Sequence, residues 1–406
     1  MRKFCKFDKF LILPIIAGIL YLPHSIVANL TEVKNHYIIY SICSSLGMSL
    51  SIIPLLISRI KMRNSMSNKN LIRELNEKNK IKESKLQIEL IYNKSINEIK
   101  RYKFLYIFFS SLIDFFESLL AAIIINSDIK INFWILDILF LSFLSYLILK
   151  THLFKHQIIS MIIIIIIGII IDLLFGNLKD AFHNIFFIIT RTFCEFCYSL
   201  SQIINKYCMD VKFSPPYEVC FFIGVFSFFF FSISLIISSN IPCTLDYCSI
   251  QNEKTDLRYF DNFMIYISKF NIKELFLFIL DMIIIGLINI LNILTIKYFT
   301  PCHSIIIVVI GRIILNFEKI IFDFDLSYIL YIILLIFTLF GILVYVEIIE
   351  LKICGIQNYT NNNIEKRGIE DINLAIRETS SESFINESED NELEEVSITS
   401  KNSSEI

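Results

Sequence analysis

Runs of about 20 apolar residues recur along this chain, and they leave few folds open to it. Ile158–Phe175, Phe221–Ser239 and Ile329–Ile349 are three of them. An α-helix crosses a hydrocarbon core of about 30 Å with about 20 residues. In lipid every backbone amide must be paired within the helix or within a closed barrel. Of the 406 residues 55% are apolar and 19% charged, against about 45–50% and about 25% in soluble domains. That excludes an ordinary globular enzyme, a disordered chain and a secreted disulfide scaffold. The chain reads as an all-α polytopic integral membrane protein.

Ten candidate spans follow: 9–29, 37–58, 103–125, 131–149, 156–175, 181–203, 217–239, 274–296, 302–321 and 327–350. The first opens on Arg2, Lys3, Lys6 and Lys9, as a signal peptide would. Its apolar run is too long and lacks a small-residue cleavage site, so an uncleaved span is expected. Ten spans put both termini on one side. With that side cytosolic, 27 of the 37 basic residues lie inside or at the inner edge and eight lie outside, as the positive-inside rule requires. Arg191 and Arg312 fall within spans.

Three parts are expected: 1–175 with a basic cytosolic loop at 60–102, 176–350, and an acidic cytosolic tail at 351–406. The loop shows helical charge pairing, Glu74 with Lys78 at i, i+4. From 353 onward the tail holds 12 acidic and 4 basic residues and no aromatic after Phe384, so it cannot bury a core. The longest outside loop, 240–273, carries Cys243 and Cys248. Whether they pair depends on whether that side is oxidising.

Charged groups inside a bilayer are costly and normally face the bundle interior or water. Here they fall on single helical faces. The third span carries Ser110, Ser111, Asp114, Glu117 and Ser118 on one face. The sixth carries Arg191, Glu195, Tyr198 and Gln202, with Asn205 just past its end. The eighth carries Asp281, Asn289 and Asn292, and the ninth Ser304, Arg312, Asn316 and Lys319. Four polar stripes imply a shared cavity. Asp114, Glu117, Arg191, Glu195, Asp281, Asn289, Asn292 and Arg312 are its expected lining. The arginines suit an anionic group, which their planar fork binds bidentately, and an acid could couple protons to transport. Arg191 and Glu195 also fit a structural ion pair, and the asparagines could simply join helices. His24, His183 and His303 fall towards span ends and read as interfacial.

The ten cysteines are scattered, without zinc spacing, and Cys194-x-x-Cys197 lies within a helix, so no metal or cofactor is expected. No phosphate loop, His-Glu-x-x-His or serine elbow occurs, so no enzyme is expected. A net charge of −2 shows no basic excess calling for nucleic acid. The expected partners are a small-molecule solute and the lipid bilayer, and a homodimer is open.

Ten spans divide into five plus five, the arrangement of carriers built from inverted repeats. Asp114 and Asp281 recur in the third and eighth spans, and Gly168 and Gly341 in the fifth and tenth. Ser111-Leu-Ile-Asp114-Phe-Phe-Glu117-Ser118 is one of four informative stretches. The others are Ser145–Lys150 with His156-Gln157, Lys206–Asp210 with Ser214–Glu218, and Leu291–Pro301. In these, over roughly 100–350, the chain resembles the drug/metabolite transporter superfamily, especially its eukaryotic solute-carrier branch that includes the nucleotide-sugar transporters. The resemblance implies ten helices in two inverted five-helix repeats, cytosolic termini and alternating access to a central cavity. It also implies an endomembrane, such as Golgi or vacuole, rather than the plasma membrane. The expectation is a secondary transporter for a small polar, anionic organic solute. The competing expectation is a membrane scaffold or receptor-like protein regulated through its tail.

Overall fold

The computed structural model describes residues 12–31, 36–61, 102–125, 136–151, 155–175, 185–243, 248, 250–251, 257–322 and 326–346. The basic loop at 60–102, the acidic tail, His183 and the Lys319 side chain are among the expectations that lie outside those residues, apart from the loop's two ends. The helices are α1 (Ile12–Ile19), α2 (Tyr21–Leu30), α3 (Tyr37–Ser49), α4 (Lys103–Ile125), α5 (Leu136–Leu149) and α6 (Lys155–Phe175). They continue with α7 (Ile185–Asp210), α8 (Pro216–Asn240), a short α9 (Phe263–Lys269), α10 (Ile272–Tyr298), α11 (Ser304–Phe322) and α12 (Leu326–Tyr345). A two-residue hairpin, β1 (Ile250–Gln251) and β2 (Arg258–Tyr259), is the one sheet among the described residues.

Seven helical stretches are long and apolar enough to cross a membrane. Two shorter apolar helices, Leu136–Leu149 and Pro301–Phe317, accompany them. Large apolar side chains point outward, Leu173 at 63% exposure and Ile236 at 64%, while Ser110, Ser111, Ser201 and Asp281 are buried. Polar groups inside and apolar groups outside is the arrangement that lipid as solvent favours, and this is a multi-pass membrane protein.

Two expected spans are broken. The first divides at Leu20 into α1 and α2. The second turns at Leu50–Ser51 and resumes over 52–61, because Pro54 has no N–H to donate back to Leu50. The sixth runs further than the sequence suggests, to Asp210, so Asn205 lies inside α7 rather than beyond it.

Scarce glycines mark the tightest crossings. Gly47 of α3 and Gly286 of α10 meet backbone to backbone; a Cβ on Gly286 would lie 2.5 Å from the Gly47 carbonyl oxygen. Gly224 brings α8 equally close to α3 at Ser45 and Ser49. Close approach through small residues is how helices gain contact in lipid, where no hydrophobic force drives them together.

The two ends of the bundle are fastened differently. At one end Lys206 of α7 donates to the carbonyls of Lys297 and Phe299, while Lys297 of α10 donates to the carbonyl of Met209 and to Asp210. Each lysine caps the other helix's C-terminus, where orphan carbonyls and the dipole attract a cation. Nearby, buried Glu218 in the first turn of α8 takes Lys103 at 2.6 Å. At the other end Cys243 and Cys248 form a disulfide. There fully buried Asp261 accepts from the backbone N–H of Ile38 (2.8 Å) and Ile39 (3.2 Å) and lies 2.6 Å from His36 Nδ1, capping α3. Tyr266 packs edge-on to His36, and burial raises its phenol above the usual range, with Glu274 adding to the rise.

Candidate functional site

A cavity of about 240 Å³ lies within the bundle, bounded by α2, α3, α4, α7, α8, α10 and α11. Most of its lining comes from the middle of these helices: Ser44, Ser45 and Met48; Asp114, Glu117 and Ser118; Ser227 and Phe231; Ile288, Asn289 and Asn292. The helical periodicity of the polar stripes brings this about, since residues three and four apart share a face. α7 supplies Tyr198 and Gln202, α11 supplies Ser304, Ile307 and Val308, and Tyr21 and Tyr40 close the side formed by α2 and α3.

Of the eight residues expected to line the cavity, four do: Asp114, Glu117, Asn289 and Asn292. The other four stand around it. Arg191 and Glu195 lie one to two turns from Tyr198 on the same face of α7 and form an ion pair with each other. Buried Asp137 of α5, a fourth-span acid absent from the expected lining, lies within electrostatic reach of Glu195. Arg312 lies within electrostatic reach of Tyr21, one turn beyond Val308, and does not itself line the cavity. Asp281 is 2% exposed and sits 2.7 Å from His24 Nδ1.

The third-span stripe divides in two. Ser110 binds Ser201 and Asn205 of α7, at 3.0 and 2.8 Å, joining the helices below the cavity. Asp114 and Glu117, one and two turns on, face the space. Asn289 donates to Ser44 at 3.3 Å. Three buried polar atoms in the lining, Gln202 Oε1, Asn292 Oδ1 and Ser227 Oγ, have no partner among the described residues. Buried polar atoms are nearly always satisfied, by protein, water or ligand. All three belong to residues that line one common space.

Charge is unevenly shared. Two carboxylates line the cavity, and among the described residues no lysine or arginine does. The Arg191 guanidinium pairs with Glu195 and acts electrostatically on Glu117 and Asp137 as well. The expectation that arginine forks would greet an anion therefore has no carrier in the lining.

Two histidines correct the interfacial reading. His24 reaches into the bundle, bridging Asp281 and the Tyr40 hydroxyl. His303 is buried, closes a capping box with Thr300 and stacks on Phe299 at 4.7 Å. Neither lies in a stripe of polar residues, so periodicity alone missed both. The hydroxyl-rich face Ser41, Ser44, Ser45 of the second span was missed as well, although its i, i+3, i+4 spacing is visible in the sequence. Among the described residues no cluster of metal-ligating side chains occurs.

A scan against protein-family models finds no match, and a search of the curated proteins finds none either.

Proposed function

We propose that the protein is a secondary transporter that moves a small polar solute, neutral or positively charged, by alternating access. The observation that carries this reading is the cavity in the middle of the bundle, lined by the polar side chains of Asp114, Glu117, Gln202, Asn289 and Asn292. A scaffold would close its polar stripes on one another. At about 240 Å³ the space is just below the usual range for drug-sized ligands, so the solute is small. Asp114 and Glu117 would meet its cationic or hydroxyl-bearing part, the amides of Gln202 and Asn292 would fix its orientation, and the tyrosine faces would shelter an ammonium. A proton and an organic cation are alternative ways of neutralising the same two carboxylates, which makes exchange of one for the other chemically natural.

Ten spans in two inverted repeats remain the reading of the architecture. Helix packing supports it. The first span (α1–α2) packs on the eighth and ninth (α10, α11), as the sixth (α7) packs on the third and fourth (α4, α5). The second (α3) packs on the seventh and eighth (α8, α10), as the seventh packs on the second and third. The fifth (α6) packs on the tenth (α12), completing a pairwise pattern that exchanging the halves leaves nearly unchanged. The disulfide, at the end opposite the Lys206–Asp210–Lys297 cluster, supports an oxidising lumen on that side and cytosolic termini.

Proteoliposomes holding the purified chain test the function. Probes would be putrescine, tetramethylammonium, a hexitol and a nucleotide sugar, each with and without a proton gradient. We expect uptake of an amine or the polyol that Asp114→Asn and Glu117→Gln reduce at least tenfold without lowering the melting temperature. Uptake of the nucleotide sugar that depends on Arg312, or no uptake of any probe by folded protein, overturns the reading.

A further inference from the structure

His24, Asp281 and Tyr40 form a chain of three groups that leads from the cavity wall to a carboxylate buried behind it. Tyr40 lines the cavity. Its hydroxyl stands 2.9 Å from His24 Nε2, and His24 Nδ1 stands 2.7 Å from Asp281 Oδ1. The three come from α2, α3 and α10, so the contact is tertiary in origin. Asp281, with its bonded oxygen accepting, fixes the imidazole tautomer: Nδ1 carries the hydrogen and donates to the carboxylate. Nε2 then has only a lone pair, and the Tyr40 O–H must donate to it. In that state the phenol oxygen offers the cavity acceptor capacity only.

We propose that His24 is a positioning residue whose proton reverses the hydrogen-bonding sense of the Tyr40 hydroxyl at the cavity wall, setting which solutes the cavity accepts. When one proton enters from the cavity, it joins the Tyr40 oxygen as the phenol passes its own hydrogen to Nε2. The sum is one proton gained by the imidazole, with Tyr40 again a neutral phenol. Both imidazole nitrogens now donate, Nε2 towards Tyr40, and the Tyr40 O–H is released to donate into the cavity. The new positive charge is balanced by Asp281. The proposal rests on the transport reading for its consequence, but the reversal itself does not need a solute.

The surroundings suit the task. His24 is 13% exposed and Asp281 2%, so water does not replace the contacts. The titratable and charged groups facing the His24–Asp281 pair are Tyr21 on α2, edge-on to His24 at 6.2 Å, and Tyr40 and Cys43 on α3. Arg312 on α11 acts on Tyr21. The described part of α1, Ile12–Ile19, carries no titratable group.

Infrared difference spectra of the full chain in liposomes, recorded over a series of pH values with ring-labelled tyrosine, read the reversal directly. The phenol C–O band of one tyrosine should shift as the pH is lowered, and the shift should vanish in both Tyr40→Phe and His24→Gln. His24→Gln keeps a side chain that can hydrogen-bond and so separates titration from packing. In uptake assays the same variants should lose the wild type's pH-dependent change in KM, expected to be about tenfold, while kcat changes less. No pH-dependent tyrosine band in wild-type protein, or a band that survives in His24→Gln, overturns the inference whether or not any probe is transported. A band that moves as expected in a protein that carries no probe upholds the switch and tells against the transport reading instead.

Discussion

The crossing of α3 over α10 at Gly47 and Gly286 gives the sharpest quantitative test of the fold. In Gly286→Ala the new Cβ lies 2.5 Å from the Gly47 carbonyl oxygen and 2.8 Å from its carbon, where ordinary contact begins at 3.4 Å. The two backbones must therefore part by nearly 1 Å, because neither partner is a side chain that can rotate away. Overpacking of this kind costs about 1–3 kcal/mol, and alanine's better helix propensity returns up to about 1 kcal/mol. Gly286→Val adds two further methyl groups and has a smaller return, so it should be clearly worse than alanine. The crossing also borders the site: Ser44 and Asn289, three residues to either side, share the 3.3 Å hydrogen bond that spans the same gap. Thermal unfolding in detergent should rank wild type above Gly286→Ala above Gly286→Val, with solute uptake falling in the same order. The double variant Gly47→Ala/Gly286→Ala should depart from additivity, since both changes open one gap. Gly341→Ala is the control, because its Cβ meets the Ile164 side chain, which can move. A Gly286→Val protein that melts with wild type and transports normally would refute the close crossing.

Three further outcomes follow from the packing. Arg191→Met alone should destabilise by about 3–5 kcal/mol, by leaving Glu195 without its guanidinium, whereas adding Glu195→Leu should restore only part of the loss in the same melts, because Glu117 and Asp137 still lack that cation. Asp261→Ala should cost about 2–5 kcal/mol, because the N–H groups of Ile38 and Ile39 lose their acceptor in a buried place; amide exchange at the start of α3 should rise with it. Reducing the Cys243–Cys248 bond, which closes a short loop, should lower stability by about 2 kcal/mol, read as a melting shift that Cys243→Ser/Cys248→Ser reproduces and reductant no longer changes.

Much of the helix pattern was legible because lipid imposes a crude rule. Long apolar runs must be helices, and α4 begins and ends where the apolar run of the third span does, Lys103–Ile125. The ends of α7 were harder. The stretch from Lys206 to Asp210 is polar and reads as a loop, yet it stays helical because Lys206 and Lys297 satisfy each other's helix ends. The breaks at Leu20 and Leu50 were visible only as prolines nearby, and a proline does not say whether a helix bends or stops.

The candidate site divides along the same line. Periodicity alone put Asp114, Glu117, Asn289 and Asn292 on inward faces, because a 3.6-residue repeat depends on nothing but the chain itself. It offered the Arg191–Glu195 pair at i, i+4 only as an alternative to a cavity role, and it could not say that Asp137 would stand against that pair, nor that Asp281 would stand behind a histidine 257 positions away. Those outcomes depend on which helix lies opposite, and helix partners are chosen by close approach at residues such as Gly47, Gly224 and Gly286. The sequence by itself determined that the chain is a bundle of membrane helices with polar faces turned inward, since burying charge in lipid is prohibitive. Only the tertiary structure decided which of those polar groups pair with each other and which remain to face a cavity, since that depends on distances between helices that no local pattern encodes.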